Sequence, residues 1–232
     1  MVRLYLFAEG QTEQTFADNL LKPHLSQYEV LLHNPILIAH ARKKGKVHRG
    51  GGRNYLAMKN DIQRLLRQEK AADVFFTTMI DLYAISAQFP GLSESEKLRQ
   101  NPTERVEFLE QCFAEDIGDA RFIPYIQLHE YEAYLFCDPT CFEFVYDNCS
   151  RQIAALKNIA AQHDNPELIN DGQHTAPSKR IIAQFPAYET GKTADGSQLG
   201  ELIGLEVIRS KCLHFNAWLS RLESLSGGDT AP

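Results

Sequence analysis

Acidic residues stand at the ends of apolar runs that are typical of buried β-strands. These acids are Glu9, Asp81, Glu130 and Glu132. The carboxyl ends of parallel strands meet at one edge of a sheet, where carboxylates repel one another unless a cation neutralises them or one binds a proton. Hard oxygen ligands favour Mg²⁺ or Mn²⁺. The pattern therefore predicts a divalent-metal site with Glu9, Asp81 and Glu130 as catalytic acids and metal ligands, and with Glu132 as a further ligand.

Neighbouring residues could support this site. Glu13 lies one helical turn after Glu9, so it either faces the same cavity or stabilises the positive end of the helix dipole. His129 is a ligand, a proton carrier or a structural histidine. If the segment around Glu130 is extended, Glu130 and Glu132 share a face; if it is helical, they diverge and only one reaches the site. Each acid taken singly could also be merely solvated.

The stretch from Arg42 to Arg53 is basic, contains Gly50-Gly51-Gly52 and has no acid. We expect a mobile loop that contacts a phosphate backbone without reading its sequence, although a solvated linker would have the same composition. The segment from Thr175 to Arg180 could present a helix N-terminus and two cations to a phosphate, or could be an ordinary capped helix. The predicted phosphate-binding residues are Arg42, Lys43, Lys44, Lys46, Arg49, Arg53, Lys179 and Arg180.

Other motif-like groups are discounted. Gly191-Lys192-Thr193 resembles the end of a P-loop, but Pro186 stands where the first glycine belongs and no strand precedes it. The five cysteines are irregularly spaced, which favours reduced thiols over a zinc site.

The composition is that of an ordinary globular protein. The 232 residues are 44% hydrophobic and 23% charged, and the net charge of −6 argues against nucleic-acid binding by overall charge while leaving room for a local patch. The N-terminus does not resemble a signal peptide, and no apolar run approaches the roughly 20 residues that span a bilayer. We therefore expect a cytoplasmic protein.

The order of predicted elements is β-α-β-α-β-α-β, which favours a sheet of about four mainly parallel strands flanked by helices. The predicted strands are 4–8, 29–39, 74–80 and 121–128, and the predicted helices are 12–27, 55–68 and 103–116. Pro23 is expected to kink or end the first helix. Residues 81–99 are expected to form a long loop.

The strand pattern stops after Glu132. Helices are predicted at 153–161 and 177–185, with one or two more within 199–225. We expect an α/β core over residues 1–136, a helical extension packed on that core over 137–225, and a flexible tail over 226–232.

Four segments together resemble a bacterial family of unknown function, domain-of-unknown-function family 4276, across nearly the whole chain. They are Glu9-Gly10-Gln11-Thr12-Glu13, Asp81-Leu82-Tyr83 with Phe89-Pro90-Gly91, His129-Glu130-Tyr131-Glu132-Ala133, and Ala176-Pro177-Ser178-Lys179-Arg180. That family is similar to the Toprim domains of topoisomerases, primases and overcoming-lysogenisation-defect nucleases. The resemblance implies a Toprim-like α/β fold, in which a glutamate follows the first strand and an Asp-x-Asp pair follows a later one.

By this resemblance, Glu9 is the acid/base or a metal ligand, and Asp81 is the first acid of the pair. Tyr83 stands at the second position, so a two-metal site requires Glu130 or Glu132 as a substitute. The resemblance implies a nuclease that uses Mg²⁺ or Mn²⁺ on DNA or RNA, in a phage-defence system beside an ATPase partner. One alternative is a non-catalytic subunit that binds nucleic acid or an ATPase through a degenerate Toprim site. Another is a metal-dependent hydrolase of a nucleotide or another small phosphate.

Overall fold

The computed structural model describes residues 1–38, 55–169 and 175–227. The strands are β1 (Val2–Ala8), β2 (Val30–Leu32), β3 (Ile36–Leu37), β4 (Val74–Asp81), β5 (Phe122–Ile123) and β6 (Ile126–Gln127). The α-helices are α1 (Gln11–Phe16), α2 (Lys22–Ser26), α3 (Tyr55–Gln68), α4 (Leu92–Ser95), α5 (Pro102–Ile117), α6 (Ser150–Ala160), α7 (Pro177–Gln184), α8 (Tyr188–Ile203), α9 (Leu205–Lys211) and α10 (Leu213–Glu223). Short 3₁₀ segments cover Leu82–Ala84, Glu96–Leu98, Tyr131–Phe136, Pro139–Phe144, Pro166–Leu168 and Ser224–Gly227.

The described strands form a parallel sheet in the order β2-β1-β4-β5. β3 continues the β2 edge by pairing with the end of β1, and β6 continues the β5 edge by pairing with the end of β4. The chain leaves β1 toward one edge and later returns to β4 on the other side of β1, which creates a topological switch point between these two strands. The predicted α/β fold with a mainly parallel sheet is confirmed, and each predicted edge strand is broken into two short pieces.

Prolines account for these breaks. Pro35 lies between β2 and β3, and Pro124 lies between β5 and β6; a proline has no N–H to donate to a strand ladder. At the second break, Thr78 Oγ1 accepts a hydrogen bond from Tyr125 N at 2.9 Å and donates one to Tyr125 O at 3.0 Å. The threonine side chain replaces the missing ladder bonds, so that β6 stays aligned with the end of β4.

The first helix continues past its proline. Its backbone is helical from Gln11 to Ser26, with a π-helical stretch at Ala17–Leu21 between α1 and α2. Pro23 is the second residue of α2, which directly follows the π-helical stretch. Pro23 therefore does not end the helix. The helix continues through it to Ser26, and the π-helical stretch at Ala17–Leu21 is the local change in geometry that precedes the proline.

Helices cover both faces of the sheet. Leu4 and Leu6 of β1 pack against α1, α8 and α10, whereas Phe7 packs on the opposite face with α3 and α5. Trp218 Nε1 of α10 donates a hydrogen bond to Thr77 Oγ1 of β4 at 2.9 Å. This hydrogen bond connects α10, in the C-terminal half of the chain, directly to the central strand β4.

Residues 81–99 are not the continuous loop that was expected, because they contain α4 and two 3₁₀ segments. Within 199–225 the structure has two complete helices, α9 and α10, as predicted, but residues 199–203 are the end of α8, which begins at Tyr188. The sequence did not predict the start of α8, because the helix contains Gly191, Gly196 and Gly200 and glycine is unfavourable inside a helix.

Some predictions concern residues outside the described ranges. These are residues 39–54, which include the predicted basic loop, and residues 228–232 of the predicted tail. The five cysteines are free thiols, as predicted. None of the described helices combines the length and apolarity that crossing a membrane requires.

Candidate functional site

Glu9 and Asp81 meet at the switch point of the sheet. Glu9 N donates to Met79 O at 3.0 Å, which extends the ladder one residue beyond β1. Asp81 N donates to Glu9 Oε2 at 2.7 Å, and Gln127 Nε2 donates to Asp81 Oδ1 at 2.7 Å. Strands β1, β4 and β6 therefore bring two acids and a carboxamide to the same carboxyl edge.

Glu13 is buried next to Gly10 at the start of α1. Its Oε2 accepts a hydrogen bond from Gly10 N at 2.9 Å, which satisfies the backbone N–H of the residue that precedes α1. Burial raises the pKa of Glu13 to about 7; the charge of Glu132 adds to this increase, and the backbone hydrogen bonds oppose it. Glu13 is therefore shielded from solvent and lies within electrostatic reach of Glu132.

Glu130 and Glu132 reach the same region by different backbone conformations. Glu130 is extended, with φ −157° and ψ 163°, and Glu132 lies in the 3₁₀ segment that follows. Ser178 N, at the start of α7, donates to Glu130 Oε1, while Tyr188 OH donates to the buried Glu132 Oε1 at 3.3 Å. Burial raises the pKa of Glu130, and the charge of Glu132 adds to the increase. The change of conformation between the two residues lets both acids approach the site.

Lys192 reaches these acids from α8. Its Nζ lies 2.7 Å from Glu132 Oε1. Burial by itself lowers the pKa of Lys192, but the charges of Glu132, Glu130 and Asp81 raise it by more, so the net shift is upward. Glu9, Glu13, Asp81, Glu130 and Glu132 together form the acidic cluster. Lys192 is the counter-charge of Glu132, Glu130, Asp81 and Glu13.

Small residues let α8 approach the acidic cluster closely. A Cβ atom on Gly200 would collide with the hydroxyl of Tyr131, and that hydroxyl donates to Gly196 O at 3.2 Å. Tyr131 stands between Glu130 and Glu132 in the chain. The contact therefore fixes the helix that carries Lys192 against the segment that carries two of the acids.

His129 and Tyr83 stack beside the acidic cluster. Their ring centroids are 5.6 Å apart and their planes are inclined by 27°; Tyr83 N also donates to His129 O at 3.4 Å. His129 has φ 68°, a left-handed backbone conformation that turns the chain between β6 and Glu130. Burial lowers the pKa of His129 to about 4, and the charge of Arg105 contributes to the decrease. The imidazole is therefore neutral at pH 7.

A cleft of about 830 Å³ opens next to the acidic cluster, and both Glu130 and Lys179 line it. Arg180 instead donates from Nε to Thr175 O at 2.7 Å, at the start of its own helix. The Ser178 amide donates to Glu130, so this N–H is engaged by a carboxylate of the chain. The other predicted phosphate-binding residues lie outside the described residues; they are Arg42, Lys43, Lys44, Lys46, Arg49 and Arg53.

A family model described as "Domain of unknown function (DUF4276)" matches residues 8–223. The chain belongs to this family. The family predicted from the motifs is therefore confirmed. No curated protein is significantly similar to this DUF4276 chain. Solved structures similar to it include the "C-terminal region of the Burkholderia pseudomallei OLD protein", with 15% identity, a TM-score of 0.44, and coverage of 97% of this chain and 98% of that chain. A likeness of this degree supports no conclusion about activity.

The acidic cluster of this DUF4276 protein suits a hard cation in its donor atoms and in its charge. The raised pKa values of Glu13 and Glu130 reflect burial together with the repulsion of a neighbouring carboxylate, which a bound cation would relieve. Among the described residues, no group of three His, Cys, Asp or Glu side chains lies close enough together to hold a metal ion. The donors therefore fit Mg²⁺ or Mn²⁺ in kind, and holding an ion requires some of them to exchange their present amide and lysine partners.

Sequence reasoning missed two members of the site. Lys192 belongs to the Gly-Lys-Thr sequence that was discounted as a P-loop; the rejection of a P-loop is correct, but the lysine nonetheless reaches Glu132. Gln127 is buried at the end of β6 and holds Asp81. A buried polar residue within an apolar strand was the available signal for Gln127, whereas no sequence pattern pairs Lys192 with Glu132.

Proposed function

We propose that this DUF4276 protein is a Mg²⁺-dependent phosphodiesterase that acts on nucleic acid. The observation that carries the proposal is that Glu9 and Asp81 meet at the switch point of a parallel sheet, with Asp81, Glu130 and Glu132 within electrostatic reach of Lys192. Ligands of open α/β sheets bind outside the carboxyl ends of the strands at such a point.

The side chains have distinct roles in this proposal. Glu9, Asp81 and Glu130 or Glu132 hold the cation, which when bound activates water and stabilises negative charge on a phosphate. Glu13, whose pKa is raised to about 7, can take up or release a proton at neutral pH. Lys192 offers a positive charge to a phosphate oxygen once a cation takes over the neutralisation of Glu132. Lys179 lies on the adjacent cleft, where it can contact the backbone of the substrate.

Cleavage assays test the proposal. Supercoiled plasmid, single-stranded DNA and single-stranded RNA are incubated with Mg²⁺, with Mn²⁺ or with EDTA, using the wild type and the variants Glu9→Gln and Asp81→Asn. We expect metal-dependent cleavage by the wild type and a loss of at least a hundredfold in both variants. Glu143→Gln, at an exposed acid outside the site, is the matched control and should retain activity. Cleavage that survives both site substitutions, or that persists in EDTA, overturns the proposal.

A second candidate function is a non-catalytic subunit that binds nucleic acid or an ATPase partner. Two observations favour it: Tyr83 stands where the second Toprim acid is expected, and Lys192 already neutralises Glu132. This candidate predicts no heat of Mg²⁺ binding in titration calorimetry and a stable complex with the partner. The association with an ATPase and the role in phage defence remain predictions for both candidates.

A further inference from the structure

The cleft beside the acidic cluster has walls of two kinds. On one side lies the segment that follows β4, with Leu82, Tyr83 and Ile85; on the other lies the start of α7, with Ser178 and Lys179. Its volume of about 830 Å³ falls within the range of roughly 300–1,000 Å³ that small-molecule sites occupy. Because Glu130 belongs to both the cleft and the acidic cluster, a group seated in the cleft is a direct neighbour of the proposed reaction site.

Tyr83 is an aromatic residue that lines this cleft. It remains 47% exposed, although it follows a buried strand, and the stacked ring of His129 supports it. The hydrogen bond from Tyr83 N to His129 O adds a backbone link between the two residues that carry the rings. An exposed ring held in this way provides a platform on which another flat ring can stack.

Cations stand near this aromatic ring. Arg99 and Lys179 both line the cleft; Lys179 lies in α7, and Arg99 directly follows the 3₁₀ segment Glu96–Leu98. The side chain of Arg99 is 71% exposed, and its ion pair with the exposed Glu96 at 3.4 Å is of a kind that contributes little. Lys179 is also exposed, so both cations are available to phosphate oxygens.

We propose that this cleft binds an unpaired nucleotide, with its base stacked on Tyr83 and its phosphates against Arg99 and Lys179, so that the substrate is single-stranded at the site. The inference rests on the proposed function in that it names the substrate class of the same site. Aromatic platforms combined with a cationic groove are the means by which proteins bind single strands without reading their sequence. A duplex hides the faces of its bases inside its own stack and cannot use the platform.

Fluorescence anisotropy tests this inference without requiring hydrolysis. A labelled single-stranded oligonucleotide and a blunt duplex of the same sequence are titrated in EDTA with the wild type, Tyr83→Leu, Tyr83→Phe and the control Phe144→Leu. Phe144 is an aromatic residue that is 66% exposed and does not line the cleft. We expect the wild type to prefer the single strand, and Tyr83→Leu to weaken that binding by about five- to a hundredfold, as loss of one stacking partner does. Tyr83→Phe and Phe144→Leu should bind like the wild type.

An abasic oligonucleotide tests whether a base is stacked. Replacing every nucleotide by an abasic site should weaken binding to the wild type and should have little further effect on Tyr83→Leu. Equal binding of duplex and single strand overturns the inference. So does wild-type affinity in Tyr83→Leu, or the failure of either nucleic acid to bind.

The outcome is separable from that of the proposed hydrolysis. If Tyr83-dependent binding of single strands occurs without metal-dependent cleavage, the inference stands and the non-catalytic subunit is favoured. If cleavage depends on Glu9 and Asp81 but binding is indifferent to Tyr83, the phosphodiesterase stands and this inference fails.

Discussion

The Lys192 ammonium lies 2.7 Å from the Glu132 carboxylate, and this pair joins α8 of the helical C-terminal half to the segment that follows the sheet. Tyr188, on the first turn of the same helix, donates to the same carboxylate oxygen. The charges of Glu130 and Asp81 also act on Lys192. The helical half is therefore part of the candidate site and supplies its counter-charge.

Removing Lys192 should destabilise the protein through the acid that it leaves behind. We expect Lys192→Met to lower the free energy of unfolding at pH 8 by about 1–3 kcal/mol, because the buried Glu132 then lacks its charged partner. Adding Glu132→Gln to this variant should recover most of the loss. Urea denaturation of the wild type, both single variants and the double variant measures the coupling between the two residues.

Lys179→Met is the matched control for this experiment, because Lys179 is exposed at the cleft. Its effect on the free energy of unfolding should stay within about 0.5 kcal/mol. If the double variant loses the sum of the unfolding free energies that Lys192→Met and Glu132→Gln lose singly, the two residues are not energetically coupled.

The sequence predicted the acids of the site better than the partners of those acids. Glu9 and Asp81 are recognisable because each directly follows an apolar run, and parallel strands bring such ends together without further information. Lys192 is different, since its approach to Glu132 depends on how α8 docks. A pairing between distant segments leaves no local periodicity, so it could not be predicted from one sequence.

The docking of α8 should be sensitive to a single added methyl group. Gly200→Ala places a Cβ against the Tyr131 hydroxyl, and overpacking of this kind costs about 1–3 kcal/mol. We expect a lower urea midpoint and, because α8 carries Lys192, lower activity in any cleavage assay that the wild type supports. Gly200→Ala combined with Tyr131→Phe should regain part of the stability, since the obstructing oxygen is then absent.

Gly227→Ala is the control for the added methyl group, because a Cβ there meets nothing within 4 Å. It should leave the urea midpoint nearly unchanged. A Gly200→Ala variant as stable as the wild type would show that the contact between α8 and Tyr131 is loose.

The limits of prediction are clearest where the chain changes conformation within a few residues. The run 121–128 has the pattern of one strand, but Pro124 breaks it, and hydrogen bonds between Thr78 and Tyr125 help to hold the second piece beside β4. At His129 to Glu132 the backbone passes from left-handed to extended to 3₁₀. These changes are determined by tertiary contacts, which explains why the choice between an extended and a helical segment stayed open.

His214 should make stability depend on pH away from the acidic cluster. Its Nε2 lies 3.0 Å from Glu110 Oε1. Burial by itself lowers the pKa of His214, but the hydrogen bond to Glu110 and the charges of Glu110, Glu167 and Glu107 raise it by more. The stabilisation is therefore fully present below the unfolded-state pKa of about 6.5 and is lost as the pH rises through the raised folded value.

Urea denaturation at pH 6 and pH 9 measures this contribution. Glu110→Gln should lower the free energy of unfolding by about 1 kcal/mol at pH 6, where the protonated histidine loses the negative charge of its partner, and by less at pH 9. The same substitution keeps an oxygen that can accept the hydrogen bond from Ile126 N. His163→Gln, at a half-buried histidine, is the control and should leave the pH profile of the wild type in place. Equal losses at both pH values would assign the effect to packing rather than to charge.

Glu13 should titrate near neutral pH, which side-chain ¹³C NMR of labelled glutamate can follow directly. Burial and the charge of Glu132 raise its pKa to about 7, so the carboxyl resonance should change between about pH 6 and 8 in metal-free protein. Glu132→Gln should lower this pKa, because it removes a repelling charge. Mg²⁺ should lower it as well if the cation binds among the acids. A Glu13 titration at the ordinary glutamate value would mean that the acids do not share one buried environment, and the electrostatic case for a cation would lose its support.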